Sequence, residues 1–488
     1  MRKEFVFILV FLLGTRLLAQ EVVKVDFTQA HQQIDGFGAS TAWHGKLSDK
    51  EFDTSFGNGE NQLGLSILRV RIDPAGENRW GDELANAQKA IARGAIVFAS
   101  PWTPPASMKN NNNTVGGQLN QASYYDYVAY LNGFIDYMEE KGAPIYAISL
   151  QNEPNIKVTY ESCNWTPAQL LDFCTNNAQD IKVPVIMPEA YNFDFAYSNP
   201  VLNDSTAASH ISIIGGHLYG ATPKVYPLAA EKGKKVWMTE KFFDPDDIST
   251  CISIAKEISD CMNSNMNAYI WWYLRQPSCN LINSGGNSIK KKGYVMAQFS
   301  KFVRPGYHRT DAAYAANKGI NITAYKGDKQ VIVAINQSTK VKTVQFEITG
   351  DSTLYFQQYT TSSTKSLKKE STVEVKDHIV TVDLEPQSVT TFIGTNEAYS
   401  SVGVDKIQTG AKVLVYPNPS PGGITLTTNL NAEEFPLSMR ILSLDGKKVY
   451  EQTINSDNLQ IETGLKPSIY LLRVTGNTFS YNQQLIIK

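Results

Sequence analysis

From about residue 36 to residue 274, short apolar runs alternate with longer amphipathic stretches, the rhythm of strand, crossover helix and strand that builds a parallel sheet. Strands are predicted at 36–40, 66–72, 95–102, 145–150, 183–188, 211–218, 236–240 and 268–274. Helical stretches fall between them at 123–141, 166–180 and 247–262, the last with Ile248, Cys251, Ile252, Ile254, Ala255 and Ile258 near helical spacing. Eight strands with intervening helices predict a (β/α)8 TIM barrel. An open doubly wound sheet is the alternative, but Gly36-Phe37-Gly38-Ala39-Ser40 lacks the third glycine of a dinucleotide-binding turn.

Past Pro305 the period shortens to alternating strands with polar turns, at 320–325, 330–336, 343–348, 372–375 and 379–384. This is a side β-sandwich domain, 306–394, beside a barrel at 31–305. A strand candidate at 22–27, within an N-terminal segment 20–30, has no place in the barrel and is expected to join the side domain. Residues 395–412 are polar and aperiodic, a linker. Short strands at 413–416, 423–429, 437–443, 448–454 and 469–474, closed by 485–488, predict a small C-terminal β-sandwich over 413–488.

Length fits this division, since 488 residues exceed one compact core. With 42% apolar residues, 19% charged and a net charge of −2, no nucleic-acid arm or disordered tail is indicated. Arg2 and Lys3 precede a nine-residue apolar run at 5–13, well short of the ~20 a membrane helix needs. Residues 1–19 read as a signal peptide cut near Ala19 and Gln20, and a retained anchor is the weaker reading. No stable membrane span is expected, and the protein is expected to be a monomer. Export permits disulfides, yet five cysteines leave one thiol over. Cys163 with Cys174 is the most plausible pair, whereas Cys251 and Cys261 lie ~15 Å apart along one helix, and no disulfide framework is expected. Neither a Cys-x-x-Cys nor a His-Glu-x-x-His spacing occurs, so no metal is expected, and no organic cofactor either.

Reactive groups of such a barrel come from the C-terminal ends of its strands. Two carboxylates stand there: Glu153, in Gln151-Asn152-Glu153-Pro154 after the fourth strand, and Glu240, closing the seventh. Cleaving a glycosidic bond requires one carboxyl group to protonate the leaving oxygen and a second to attack, or to activate water, at the anomeric carbon. Either residue alone is equally a helix-start glutamate or a turn. Both together, flanked by aromatics, make the chemical case. Trp43, Trp102, Trp165, Tyr219 and Trp271 are candidates to line sugar subsites, with Tyr273 beside them. Trp271 and Trp272 alternate along one strand, so one of the two faces the barrel mouth. Arg71, ending the second strand, either orients Glu240 or the sugar, or forms an internal ion pair.

Six motifs in order, Gln33-Ile34-Asp35-Gly36-Phe37-Gly38, Leu68-Arg69-Val70-Arg71-Ile72-Asp73-Pro74, Ser100-Pro101-Trp102-Thr103-Pro104-Pro105, Gln151-Asn152-Glu153-Pro154, Trp237-Met238-Thr239-Glu240 and Trp271-Trp272-Tyr273, resemble glycoside hydrolase family 30. The stretch from Gly293 to Gly306 is most similar to its bacterial xylanase and glucuronoxylanase branch, subfamily 8, and the resemblance spans about 22–394. It implies an endo-acting, retaining β-1,4-xylanase with Glu153 as acid/base, Glu240 as nucleophile and Asn152 at the sugar 2-hydroxyl. The alternatives are a glucuronoxylan-specific xylanase, a family 30 β-glucosidase, glucosylceramidase or β-1,6-glucanase, and, outside enzymes, a surface polysaccharide-binding protein. Retention requires the carboxyl groups ~5 to 5.5 Å apart, with Glu153 protonated and Glu240 ionised.

One departure bears on substrate. The glucuronoxylanases of this branch resemble each other in a second arginine after Trp-Trp-Tyr-x-Arg and in flanking tyrosines that hold a glucuronate side group. Here Gln276, Phe242 and Ser278 stand in those places. A neutral amide lacks the bidentate contact of a guanidinium with a carboxylate, worth ~1.5 to 3 kcal/mol. Hydrolysis without dependence on glucuronate is therefore expected, unless Arg275 or Lys241 reaches the carboxylate. Finally, Val415-Tyr416-Pro417-Asn418-Pro419, Asp445-Gly446-Lys447 and the strand around Leu471 resemble a type A sorting domain of the type IX secretion system. That resemblance implies the secretion machinery as a partner, and a secreted or cell-surface destination.

Overall fold

Strand β1 (Glu21–Gln33) precedes eight parallel strands: β2 (Gly36–Ser40), β3 (Ile67–Ile72), β4 (Ile96–Pro101), β5 (Ala147–Ser149), β6 (Val185–Ala190), β7 (Ile213–His217), β8 (Lys235–Lys241) and β9 (Ala268–Tyr273). These eight close into a barrel in sequence order in the computed structural model, so the expected TIM barrel is found. The structure describes residues 21–313, 319–399, 413–428, 435–444, 446–476 and 480–488. The signal segment expected at 1–19, and the expected linker from residue 400 on, lie outside the described residues.

Local chemistry explains the helix starts. Thr166 accepts from the Gln169 N–H, Gln169 reaches back to the Thr166 N–H, and Pro167 opens the helix Pro167–Asn176 where an N–H has no partner anyway. Ser48 and Glu51 form the same reciprocal box on the helix Asp49–Phe56. Helices Tyr124–Glu140 and Ile248–Asn263 cover two further stretches expected to be helical. Among the described residues no helix is long and apolar enough to cross a membrane.

Inside the barrel, alternate residues of each strand point to the axis. At its lower end these are Ile67, Phe98, Ala147, Ile186, Ile213, Trp237, Ala268 and Ile270, a dry plug. Two residues further on, β3 and β4 place Arg69 and Ser100 inward, hydrogen-bonded at 3.1 Å. The plug thus gives way to a polar floor. Breaks in register occur in β6 between Pro188 and Ala190 and in β8 between Met238 and Lys241. Counting by twos from Ile186 and Trp237 would aim Glu189 and Glu240 at the outer helices; the irregularities turn both inward, toward Arg69.

The side domain comprises β10 (His308–Ala313), β11 (Ile320–Lys326), β12 (Gln330–Asn336), β13 (Lys342–Thr349), β14 (Tyr355–Thr361), β15 (Lys368–Glu374), β16 (Ile379–Leu384) and β17 (Ser388–Thr395). Strand β1 lies among them, antiparallel to β10 and parallel to β13, so hydrogen bonding runs unbroken through nine strands. Ile332 and Ala334 of β12 join Val23, Val25 and Phe346 in the domain core. Their neighbours Val331, Val333 and Ile335 face the other way, into the barrel's helical layer.

A second unit holds β18 (Val413–Tyr416), β19 (Gly423–Thr428), β20 (Leu437–Leu442), β21 (Lys448–Ile454), β22 (Asn458–Glu462), β23 (Ser468–Thr475) and β24 (Ser480–Ile487). Its two sheets, of three and four strands, share a core that includes Leu426, Met439 and Leu472.

Cys163 and Cys174, the most plausible pair by sequence, do not form a bridge. All five cysteines are free and buried. Cys174 faces the core from its helix and Cys163 leans toward Asn164 O, 4.0 Å away; burial raises both thiols, Cys163 to about 11.

Candidate active site

Glu153 lies just past the three-residue strand β5, with a backbone φ of +48°. That left-handed conformation costs a non-glycine residue about 1 kcal/mol or more, and persists only where surroundings fix it. Two backbone bonds do so: Asn152 N–H donates to Pro101 O (2.8 Å) and Glu153 N–H to Glu189 O (3.1 Å). The result aims the side chain across the barrel mouth. A carboxylate oxygen of Glu153 and one of Glu240 lie within 4.8 Å of each other, with His217 beside both.

Arg69 organises the floor. Its side chain is fully buried and its guanidinium binds Glu240 Oε2, Asn152 Oδ1 (2.7 Å) and Glu189 Oε1 (3.2 Å), while Nε donates to Ser100. Ser100 in turn donates to Glu189 Oε2 (2.8 Å). Burial would raise the Glu189 carboxyl, but Arg69 and His217 override it and hold it at about 2. Glu189 is thus a fixed anion.

His217 Nδ1 sits 2.9 Å from Glu153 Oε1. Burial alone would strip its charge, yet Glu240, Glu153 and Glu189 together hold its pKa up at about 9. Burial likewise raises Glu240, opposed by His217 and Arg69 and reinforced by Glu153. The Tyr219 hydroxyl donates to Glu240 Oε1 (3.0 Å) and the Tyr160 hydroxyl to Glu153 Oε2 (3.1 Å). The close spacing of Glu153, His217 and Glu240 does not make a cation site, because Arg69 and a charged His217 already supply the positive charge.

Of the aromatics read from sequence, Trp43, Trp102 and Tyr219 gather here. Trp43 is 45% exposed at the rim, edge-on to Trp102 with centroids 4.6 Å apart, and Trp102 in turn covers Arg69 at 4.7 Å. Tyr273 is largely buried between His44 and Trp272. Trp165 and Trp271 are placed elsewhere. Trp165 packs among Tyr124, Tyr127 and Phe173 in the helical layer. Trp271 shares its outward parity with Tyr269, lies fully buried and donates Nε1–H to Cys279 O. Its neighbour Trp272 shares the inward parity of Ala268 and Ile270, and comes within 5.6 Å of both Arg69 and Trp102.

Arg71 does not touch Glu240. It pairs with Glu161 and with Asp73 (2.8 Å), and lies 4.9 Å above Trp43. Arg275 donates to Glu51 Oε1 (3.0 Å), the glutamate that caps the helix Asp49–Phe56. Asn152 is brought into the site by Arg69. Sequence reasoning passed over Arg69, Glu189, His217 and Tyr160, and of the Trp271–Trp272 pair it favoured the wrong member for the mouth. Glu189 and His217 carried the same signal as Glu153, a titratable residue at the C-terminal end of a barrel strand.

Comparison with known proteins agrees with this geometry. Residues 79–236 match the glycosyl hydrolase family 30 TIM-barrel domain, and residues 414–488 the secretion system C-terminal sorting domain. Glucuronoxylanase XynC of Bacillus subtilis (strain 168) is 39% identical over 398 residues, covering 78% of this chain and 93% of XynC. The crystal structure of the family 30 subfamily 8 xylanase Xyn30A from Clostridium acetobutylicum aligns with a TM-score of 0.73 and 45% identity, over 76% of this chain and 98% of that one. A family 30 endoxylanase from Clostridium papyrosolvens C71 gives a TM-score of 0.72 at 40% identity, over 77% and 100%. Sharing nearly the full length of such relatives at this identity, the chain belongs to glycoside hydrolase family 30 and is a glycoside hydrolase.

Proposed function

We propose that the protein is an endo-acting β-1,4-xylanase that retains anomeric configuration and does not depend on glucuronate side groups. The observation that carries retention is the Glu153–Glu240 approach, with carboxylate oxygens within 4.8 Å. Retaining enzymes set their carboxyl groups about 5 to 5.5 Å apart, and inverting ones ~6.5 to 9.5 Å to admit a water. Glu240, steadied by Arg69 and Tyr219, attacks the anomeric carbon as Glu153 protonates the departing oxygen. Water, deprotonated by Glu153, then releases the sugar from Glu240. Asn152, oriented by Arg69, is suited to bond the 2-hydroxyl as the oxocarbenium-like state forms.

The names of the relatives, glucuronoxylanase, xylanase and endoxylanase, support xylan as substrate. Independence from glucuronate rests on where the spare cations point. Arg275 is held by Glu51, whose other oxygen is taken up by Ser48, and Lys241 Nζ donates to Leu218 O (2.6 Å). Both cations are thus engaged by the protein's own oxygens, and neither replaces the arginine whose place Gln276 takes. The sorting domain supports export by type IX secretion to the surface or beyond.

Proton NMR of the first products from xylan tests retention: β-anomers are expected, and α-anomers would overturn it. Product mapping on glucuronoxylan tests the second claim. Cleavage at positions unrelated to the uronic acid is expected, and cuts at one fixed distance from each glucuronate would contradict it.

A further inference from the structure

We propose that Tyr160 is a positioning residue for the proton of Glu153, held over the cleft by an Arg71–Glu161 clamp; this rests on Glu153 being the acid, as argued above. Glu153 has two oxygens with different neighbours. Oε1 faces inward to His217 Nδ1, 2.9 Å away, an N–H donor whose pKa is held up at about 9 by the carboxylates around the ring, Glu240 first among them. An oxygen already receiving that N–H is a poor place for a second proton. The transferable proton therefore belongs on Oε2, the oxygen 3.1 Å from the Tyr160 hydroxyl.

Tyr160 is 47% exposed, yet its loop is not loose. The next residue, Glu161, takes Arg71 Nε at 3.0 Å and Nη2 at 2.5 Å, and Arg71 is itself braced by Asp73 and by the Trp43 face. One residue on, Ser162 O accepts from Lys109 Nζ (2.7 Å). The titratable groups facing Tyr160 and Glu153 are His217 and Tyr219 from β7 and its exit, Glu240 from β8, Glu189 and Tyr191 from β6 and its exit, and Arg69 from β3. Only the Tyr160 hydroxyl bonds Oε2 among the described residues.

In the glycosylation step the proton leaves Oε2 for the glycosidic oxygen, the C–O bond breaks, and Glu240 bonds to the anomeric carbon. Negative charge grows on Oε2 as this happens. A hydroxyl bonds a carboxylate more strongly than a carboxylic acid, so the Tyr160 contribution increases toward the transition state. A leaving group that departs unaided makes no use of it.

The test is kcat/KM of Tyr160→Phe on aryl β-xylobiosides running from 2,4-dinitrophenyl to phenyl. The phenyl substrate should lose about tenfold while the dinitrophenyl substrate is nearly unchanged. Glu161→Gln, which slackens the clamp, should show the same pattern more weakly. An equal loss on both substrates, or no loss, would overturn the proposal. Glu153→Gln separates the two readings. If it too shows no dependence on leaving group, the acid assignment itself fails; if it does and Tyr160→Phe does not, only the role of Tyr160 fails.

Discussion

Replacing Arg69 by lysine keeps one positive charge but removes the fork. In the native floor the guanidinium serves Glu240, Glu189, Asn152 and Ser100 at once. A single ammonium cannot reach two carboxylates on opposite sides in their own planes. At least one charge-assisted bond to Glu240 or Glu189 is then lost, along with the hold on Asn152, each worth roughly 1.5 to 3 kcal/mol for a charged partner. Burial, already pushing Glu240 toward its neutral form, then acts with less opposition, and a protonated Glu240 cannot attack. The combined expectation is a fall in kcat/KM of about 10² to 10³, or ~3 to 4 kcal/mol. Initial rates on soluble xylan give this value, with near-UV circular dichroism and a thermal melt to show that the barrel is intact. A folded R69K enzyme within about threefold of wild type would refute the claim that Arg69 holds the nucleophile.

The two tryptophan layers should separate cleanly: Trp272→Ala raises KM for xylan by about fivefold to tenfold through lost ring contact, while Trp165→Ala leaves KM alone and lowers stability by ~3 to 5 kcal/mol. Steady-state kinetics and urea unfolding read the two effects, and the reverse pattern would mean the parity assignment is wrong. Glu257 offers a pH test, because burial pushes its carboxyl up to about 7 from 4.5. A folded-state pKa above the unfolded one gives stability that is full below about 4.5 and lost as pH rises through 7, on the order of 3 kcal/mol here. Urea midpoints between pH 4.5 and 8 should fall less steeply for Glu257→Gln than for wild type, and parallel slopes would contradict this.

The barrel was legible because its strands and helices differ in hydrophobic period, and the strand ends led directly to Glu153 and Glu240. What escaped was set by single-residue geometry. Trp271 and Trp272 are indistinguishable by composition, and only the parity shared by Ala268 and Ile270 with Trp272 decides which faces the mouth. Arg69 and Arg71 share one parity on β3, so the choice between them depends on depth: Arg69, opposite Phe98, reaches the floor at Ser100 and Glu189, whereas Arg71, two residues on, emerges at the rim beside Glu161. Glu189 had the strand-end signal, but only the irregularity between Pro188 and Ala190 turns it inward, and no alternation rule contains that. The Cys163–Cys174 pairing failed for a related reason, since closeness in sequence says nothing about which way each side chain faces once a helix begins at Pro167.

The division of labour between the two glutamates is tested most directly by trapping. A 2-deoxy-2-fluoro xylobioside with a good leaving group should accumulate as a covalent adduct, and mass spectrometry of the digested protein should place it on the peptide bearing Glu240. An adduct on Glu153 or Glu189, or turnover of the native substrate with no trappable adduct and an inverted product, would contradict the account.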